Sequence, residues 1–310
     1  MKIGTRGSKL ALIQAQKIVD VVKWHHPDED VEIIVIQTSG DWQPSHGETL
    51  LSEAQGGKGL FAKEIEMALM DGRIDVGVHS LKDVPTFLPK GLKVNHMIKR
   101  EDPRDAFISI KANSLDELPE GAVVGTSSMR RKSIILSRRP DLKIVPLRGN
   151  VDTRLTKLKN GQVDATILAA AGLHRMKLDN EITSYIEPES MLPAVCQGII
   201  ALETRDNDLR TDHLLNKIHD RDTGLIATTE RALLAVLDGS CRTPIGSYAQ
   251  WVNAKSIRLR GIVVSSDGTQ SYKAEETCIV ENYDDAYALG LRVGNAIKIK
   301  TPKECLQVHG

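Results

Sequence analysis

Aromatic residues are scarce: three Trp, five Tyr and three Phe make up 4% of the 310 residues. So thin a supply argues against the rows of base-stacking platforms that single-stranded nucleic-acid binders use. Net charge is absent as well, with 41 Lys and Arg against 41 Asp and Glu, whereas a nucleic-acid coat protein is basic overall. No apolar run approaches the roughly 18 residues needed to span a bilayer. The opening Met1-Lys2-Ile3-Gly4-Thr5-Arg6-Gly7-Ser8 has neither an apolar h-region nor a cleavage site. Cysteine is limited to Cys196, Cys241, Cys278 and Cys305, far apart and without a CxxC pair, which argues against a disulfide framework or a zinc site. These absences predict a cytoplasmic protein with reduced thiols and with neither a nucleic-acid nor a membrane partner.

The usual cofactor signatures are missing too. Gly57-Lys58 hints at a P-loop, but Ser52 stands where the first glycine belongs and Gly59 where Ser or Thr belongs. No GxGxxG follows a strand, no HExxH or clustered His/Asp/Glu set marks a metal, and no GxSxG elbow is present.

What is present is an α/β pattern too long for one ordinary core. Lys2–Thr5 reads as a strand, and Ser8 caps a helix running to about Lys23, with Leu10, Ile13, Ile18, Val21 and Val22 apolar. The β-branched run Val31–Ile36 predicts a buried strand. Residues 40–60, rich in glycine and polar residues, read as a lid-length loop. Phe61–Met70 predicts a helix stopped at Gly72, followed by a strand over Ile74–His79. The same order then recurs. Gly4-Thr5 returns as Gly125-Thr126, Gly40-Asp41 as Gly149-Asn150, and Gly72-Arg73-Ile74-Asp75 as Gly161-Gln162-Val163-Asp164. Two similar lobes facing a cleft are expected. From about residue 217 the texture changes to a helix over Thr223–Leu237, a hairpin over Ile257–Val280 and a final helix over Asp284–Lys298, a small α+β domain.

Arginines cluster at the strand ends and helix starts. Arg6 follows the first strand, Arg130 and Arg131 begin a helix, Arg148 follows a strand, Arg154 opens a helix, and Arg175 follows the strand ending at Ala170. In α/β lobes these positions converge on the ligand crevice, and arginine grips carboxylates at two points. A ligand with several carboxylates is expected. In Val78-His79-Ser80-Leu81-Lys82-Asp83-Val84-Pro85 a strand delivers a Lys-Asp pair to a proline-locked turn, where Asp83 serves as a general acid–base or stands as a solvated carboxylate paired with Lys82. Cys241, in the loop Gly239-Ser240-Cys241-Arg242-Thr243-Pro244, is either a covalent attachment point or an incidental thiol.

Read together, these stretches resemble the hydroxymethylbilane synthase (porphobilinogen deaminase) family of tetrapyrrole, and hence heme, biosynthesis. The likeness runs through Ile3–Ala11, Gly57–Phe61, Val78–Pro85, Arg100–Ala106, Gly125–Arg131, Leu147–Arg154 and Gly239–Tyr248, nearly the whole chain. The resemblance implies a monomeric transferase with a dipyrromethane cofactor held covalently by a thioether to Cys241. It implies Asp83 and Lys82 as catalytic, with Lys58, Asp83, Thr126, Ser128, Arg130, Arg131 and Arg148 at the cofactor and Arg6, Ser8, Arg148, Arg154 and Arg175 at the substrate, porphobilinogen. No metal is implied. The family fold implies two periplasmic-binding-protein-like lobes, residues 1–98 with 199–216 and residues 99–198, and a third domain over 217–310 carrying the cofactor cysteine. Two positions depart from the family pattern: Cys196 stands where glycine is usual, and Gly7 where a larger polar residue is usual. The implied chemistry suits the arginines, because each porphobilinogen carries two carboxylates and loses its amine as ammonia while the pyrrole ring becomes cationic. The rival class is a non-enzymatic dicarboxylate sensor on the same two-lobed fold, which needs the arginines but neither Cys241 nor Asp83. A cysteine-dependent transferase or hydrolase would need a histidine beside Cys241.

Overall fold

A computed structural model describes residues 1–38, 62–237 and 243–306. The expected lid over 40–60, Lys58, and the loop bearing Cys241 lie outside the described residues. Two five-stranded mixed sheets and one three-stranded antiparallel sheet form the frame.

In the first sheet β1 (Lys2–Arg6) runs parallel to β2 (Glu32–Ile36) through the connecting helix α1 (Lys9–His25). The Ser8 hydroxyl caps α1 by accepting from the Ala11 N–H at 3.4 Å, while Ala15, Ile18, Val19 and Val22 turn inward. The expectation of a fully buried strand at Val31–Ile36 does not hold. β2 is an edge strand and Val35 is 52% exposed, so its β-branched run reflects strand propensity and not burial on both faces. Helix α2 (Lys63–Met70) closes at Gly72, whose φ of +70° a side chain would resist, and leads into β3 (Val76–Ser80). A 3₁₀ turn, Leu81–Asp83, separates β3 from β4 (Leu92–Met97).

The second sheet holds β5 (Asp105–Ser109), β6 (Val123–Gly125), β7 (Lys143–Val145), β8 (Ala165–Ala169) and β9 (Ser184–Ile186). Between them lie α3 (Met129–Arg138), α4 (Val151–Lys159) and α5 (Ala170–Arg175). Its order is β7-β6-β8-β5-β9. The first sheet, once β10 (Ile200–Arg205) is inserted, runs β2-β1-β3-β10-β4. In each, three parallel strands are followed by an antiparallel fourth, β10 in one and β5 in the other. Gly161, at φ +71°, repeats the Gly72 stop. The duplication read from the sequence is therefore a duplication of topology.

The chain passes between lobes at 98–104 and 187–199, which lie side by side: the Glu101 N–H donates to the Gly198 carbonyl at 3.1 Å. Cys196 sits here at φ +60°, a left-handed conformation that costs an ordinary residue about 1–2 kcal/mol. That backbone explains why glycine suits the position in the resembled family.

After α6 (Leu209–Asn216) comes the third domain: α7 (Arg221–Leu237), the antiparallel sheet β11 (Ile245–Trp251), β12 (Ser256–Val264) and β13 (Ser271–Ile279), and α8 (Tyr283–Lys300). Strand β11 was not expected. Helices α7 and α8 touch backbone to backbone, for a Cβ on Gly290 would stand 2.3 Å from the Thr229 carbonyl oxygen. Leu81 and Val84, either side of the Lys82-Asp83 pair, are buried in one core with Leu225, Ile226 and Leu233 of α7. Each such side chain contributes about 1.5–3 kcal/mol when fully buried. Among the described residues no helix is long and apolar enough to cross a membrane.

Candidate active site

The strand ends deliver the polar residues. In the first lobe Arg6 ends β1, Ser8 caps α1, and Lys82 and Asp83 occupy the 3₁₀ turn after β3. In the second, Thr126 and Ser128 follow β6 and Arg130 and Arg131 open α3. The Ser128 hydroxyl caps that helix, accepting from the Arg131 N–H at 3.4 Å, and the Ser128 N–H donates to the Thr126 hydroxyl at 3.2 Å. Arg148 follows β7 and is buried, and the Arg154 Nε donates to the Gly149 carbonyl at 2.9 Å. Arg175 is not at a strand end as expected: it is the last residue of α5, and its Nη2 donates to the Gly198 carbonyl in the hinge at 2.6 Å.

One polar chain joins the lobes. Lys82 Nζ donates to Gln197 Oε1 at 3.4 Å, and Gln197 Nε2 donates to Asp105 Oδ1 at 3.0 Å. Asp105, wholly buried, also accepts from Arg130 Nη2 and Arg131 Nη2, each at 2.7 Å. Burial by itself would raise the Asp105 carboxyl. The charges of Arg130 and Arg131, with the Arg131 and Gln197 hydrogen bonds, outweigh it and hold the group below the usual carboxylate range. Burial likewise draws the Lys82 ammonium down to about 8, against the pull of Asp83 and with the help of Arg131. It draws the Arg175 guanidinium down to about 10, opposed by Glu101. Across the cleft mouth Lys9 Nζ stands 4.0 Å from Asp152 Oδ1.

Asp83 differs from every other acid in this group. Among the described residues its carboxylate accepts no hydrogen bond and makes no ion pair within 4 Å, although Lys82 is its sequence neighbour. The structure thus gathers Lys82, Asp83, Arg130, Arg131 and, through Gly198, Arg175. Thr126, Arg148 and Arg154 lie on the adjoining turns, tied in where the Leu147 N–H donates to Ser127 Oγ at 3.1 Å. Asp105 and Gln197 were not singled out from the sequence. Asp105 sits in the stretch Arg100–Ala106, which carries the family likeness without giving Asp105 a role.

The residues suit a group bearing several carboxylates. Among the described residues Arg130 Nε and Arg175 Nε are buried donors with no hydrogen-bond partner, and Arg175 makes no ion pair. A buried N–H left unbonded costs about 1–3 kcal/mol, so an acceptor from a ligand is the natural complement.

Comparison with known proteins agrees. Residues 1–213 match the family model of the porphobilinogen deaminase, dipyromethane cofactor binding domain, and residues 225–299 that of the porphobilinogen deaminase C-terminal domain. The porphobilinogen deaminase of Nitrobacter hamburgensis is 50% identical over 290 residues, 93% of this chain and 89% of its own length. That of Brevibacillus brevis is 47% identical over 296 residues, 96% of this chain and 93% of its own. A remote likeness is to a periplasmic substrate-binding protein of an ABC transporter from Coxiella burnetii, 16% identical with a TM-score of 0.44 over 74% of this chain and 96% of that one. With both of its domains matched along nearly all of its length, the chain belongs to the porphobilinogen deaminase family.

Proposed function

We propose that the chain is a transferase that joins four porphobilinogen molecules head to tail on a dipyrromethane primer, releasing ammonia at each step, and then frees the linear hydroxymethylbilane by hydrolysis. The observation that carries this reading is the Asp83 carboxylate, without a hydrogen-bond or ion-pair partner among the described residues, in the turn whose Lys82 is linked through Gln197 and Asp105 to the buried Arg130 and Arg131. When bound through Cys241, the dipyrromethane supplies a nucleophilic free α-carbon. The other roles fall to the protein. Arg130, Arg131 and Arg148, with Lys58, Thr126 and Ser128, hold the carboxylates of the primer, while Arg6, Ser8, Arg154 and Arg175 hold those of the incoming substrate. Asp83 accepts the pyrrole N–H, steadies the positive charge that spreads over the substrate ring as the C–N bond breaks, and takes up the proton released when the new C–C bond forms. Lys82, held by Gln197, keeps a positive charge next to Asp83 in the chain.

The match to both porphobilinogen deaminase domains counts against the dicarboxylate sensor. We assign residues 1–98 and 199–216 to one lobe, 99–198 to the other and 217–310 to the third domain, following the strand order, and expect a cytoplasmic monomer. Intact mass of the purified chain tests the reading. It should exceed the sequence mass by a two-pyrrole adduct, mapped to Cys241 and not to Cys196. An active preparation of unmodified chain would sink it.

A further inference from the structure

Arg231 belongs to the third domain, yet its guanidinium reaches the first lobe. Nη1 donates to the Val84 carbonyl at 3.2 Å, and Nη2 donates to those of Pro85 at 2.8 Å and Thr86 at 3.3 Å. These are the three residues that follow Asp83. No carboxylate pairs with Arg231 among the described residues. Burial lowers its pKa, opposed by Cys196 and Glu203, so the cation is kept out of water without a counterion in contact. An arginine held in that way is costly unless its hydrogen bonds are needed.

The rest of the turn is fixed by further contacts. The Leu81 N–H donates to the Ile199 carbonyl at 3.0 Å and the Val84 N–H to the Leu81 carbonyl at 3.1 Å. Leu81 and Val84 are sunk in the core shared with α7. The backbone is thus held on both sides of Asp83, while its carboxylate accepts no hydrogen bond among the described residues. Helix α7, which carries Arg231, ends at Leu237, four positions before Cys241. One helix therefore holds the acid's turn and leads to the point of cofactor attachment.

We propose that Arg231 is a positioning residue for the reaction: its two-armed grip on the Val84, Pro85 and Thr86 carbonyls sets where the Asp83 carboxylate stands relative to the primer on Cys241. The inference rests on the role given to Asp83 above. Displacement of a catalytic group by about 1 Å costs on the order of 100-fold in rate, so a loosened turn reads out in turnover and not in binding.

Purified holoenzyme carrying Arg231→Gln or Arg231→Lys tests it, with Asp83→Asn and the Asp83→Asn/Arg231→Gln pair alongside. Adduct loading by intact mass should match the wild type, and KM for porphobilinogen should stay within about twofold. Turnover per loaded chain should fall by at least about tenfold in Arg231→Gln and by less in Arg231→Lys, which keeps the charge but loses the fork. On the Asp83→Asn background Arg231→Gln should change turnover by less than about twofold, because the group it positions has lost its charge. A purely structural arginine would lower the melting temperature and leave turnover per loaded chain unchanged; that result in Arg231→Lys, the variant more certain to fold, overturns the proposal. So does a full additional loss on the Asp83→Asn background. If Asp83→Asn itself turns over nearly as fast as wild type, the reading of Asp83 has failed and the proposal falls with it. If Asp83→Asn is crippled while both Arg231 variants are not, the proposal alone has failed.

Discussion

β3 and β8 hold the same place in their two sheets, the last of three parallel strands beside an antiparallel fourth, and they end differently. β3 gives way to the 3₁₀ turn with Lys82 and Asp83; β8 gives way to α5, which ends in Arg175. The antiparallel neighbours differ as well. In the first lobe β10 buries Glu203 against His79 at 2.9 Å, and in the second β5 buries Asp105 against two arginines. One frame has thus been filled with opposite chemistry. The second lobe is a fixed source of positive charge, with Arg130 and Arg131 locked by Asp105, and in the proposed function such pre-set charges would need no reorganisation to meet a ligand's carboxylates. The first lobe offers Asp83, a carboxylate with no hydrogen-bond or ion-pair partner among the described residues, which in the proposed reaction exchanges one pyrrole N–H for the next.

The sharpest way to break this contrast is Asp83→Asn in cofactor-loaded enzyme. Positioned acid–base groups contribute about 10²–10⁴-fold, so kcat should drop by that order while substrate binding persists, and Asp83→Glu should keep more activity than Asn. A loss under about tenfold in ammonia release would leave the first lobe without its special acid. Asp105→Asn attacks the other lobe. It strands two buried guanidinium groups beside each other, and breaking such a pair typically costs about 3–5 kcal/mol, read from urea unfolding, together with poorer adduct loading. An unchanged unfolding midpoint would show that Arg130 and Arg131 are not held by Asp105. The smallest effect belongs to Lys82. The folded chain releases this proton near pH 8 and the unfolded chain near 10.5, so between those values the unfolded state binds more protons and stability rises with pH. The unfolding free energy of wild type minus that of Lys82→Met should therefore grow between about pH 8 and 10.5. A flat difference would mean that Lys82 is not held out of water.

Much of the fold was legible because the repeat is written in backbone-restricted residues. Gly72 and Gly161 mark left-handed stops, and Ser8 and Ser128 mark helix starts. Strand β11 was not, since Ile245-Gly246-Ser247-Tyr248-Ala249-Gln250-Trp251 lacks a β-branched run and takes its strand form from pairing with β12. Of the site, Asp83, Lys82 and the arginines were readable from their positions after strands. Asp105 and Gln197 were not, because their roles exist only once residues 25 or more apart in the chain meet in the hinge. Arg175 was placed in the right region but on the wrong kind of element, since α5 begins directly where β8 ends.

The insertion of β10 also sets an order of assembly on a chain still being made. β3 and β4 belong to the first 97 residues, yet they are bridged only by residues 200–205. During synthesis their facing edges emerge early and stay unpaired, and bare strand edges invite wrong partners. The second sheet draws all its strands from residues 105–186, so the chain can finish it while the first is still open. The lobe that begins the polypeptide is therefore the one completed last.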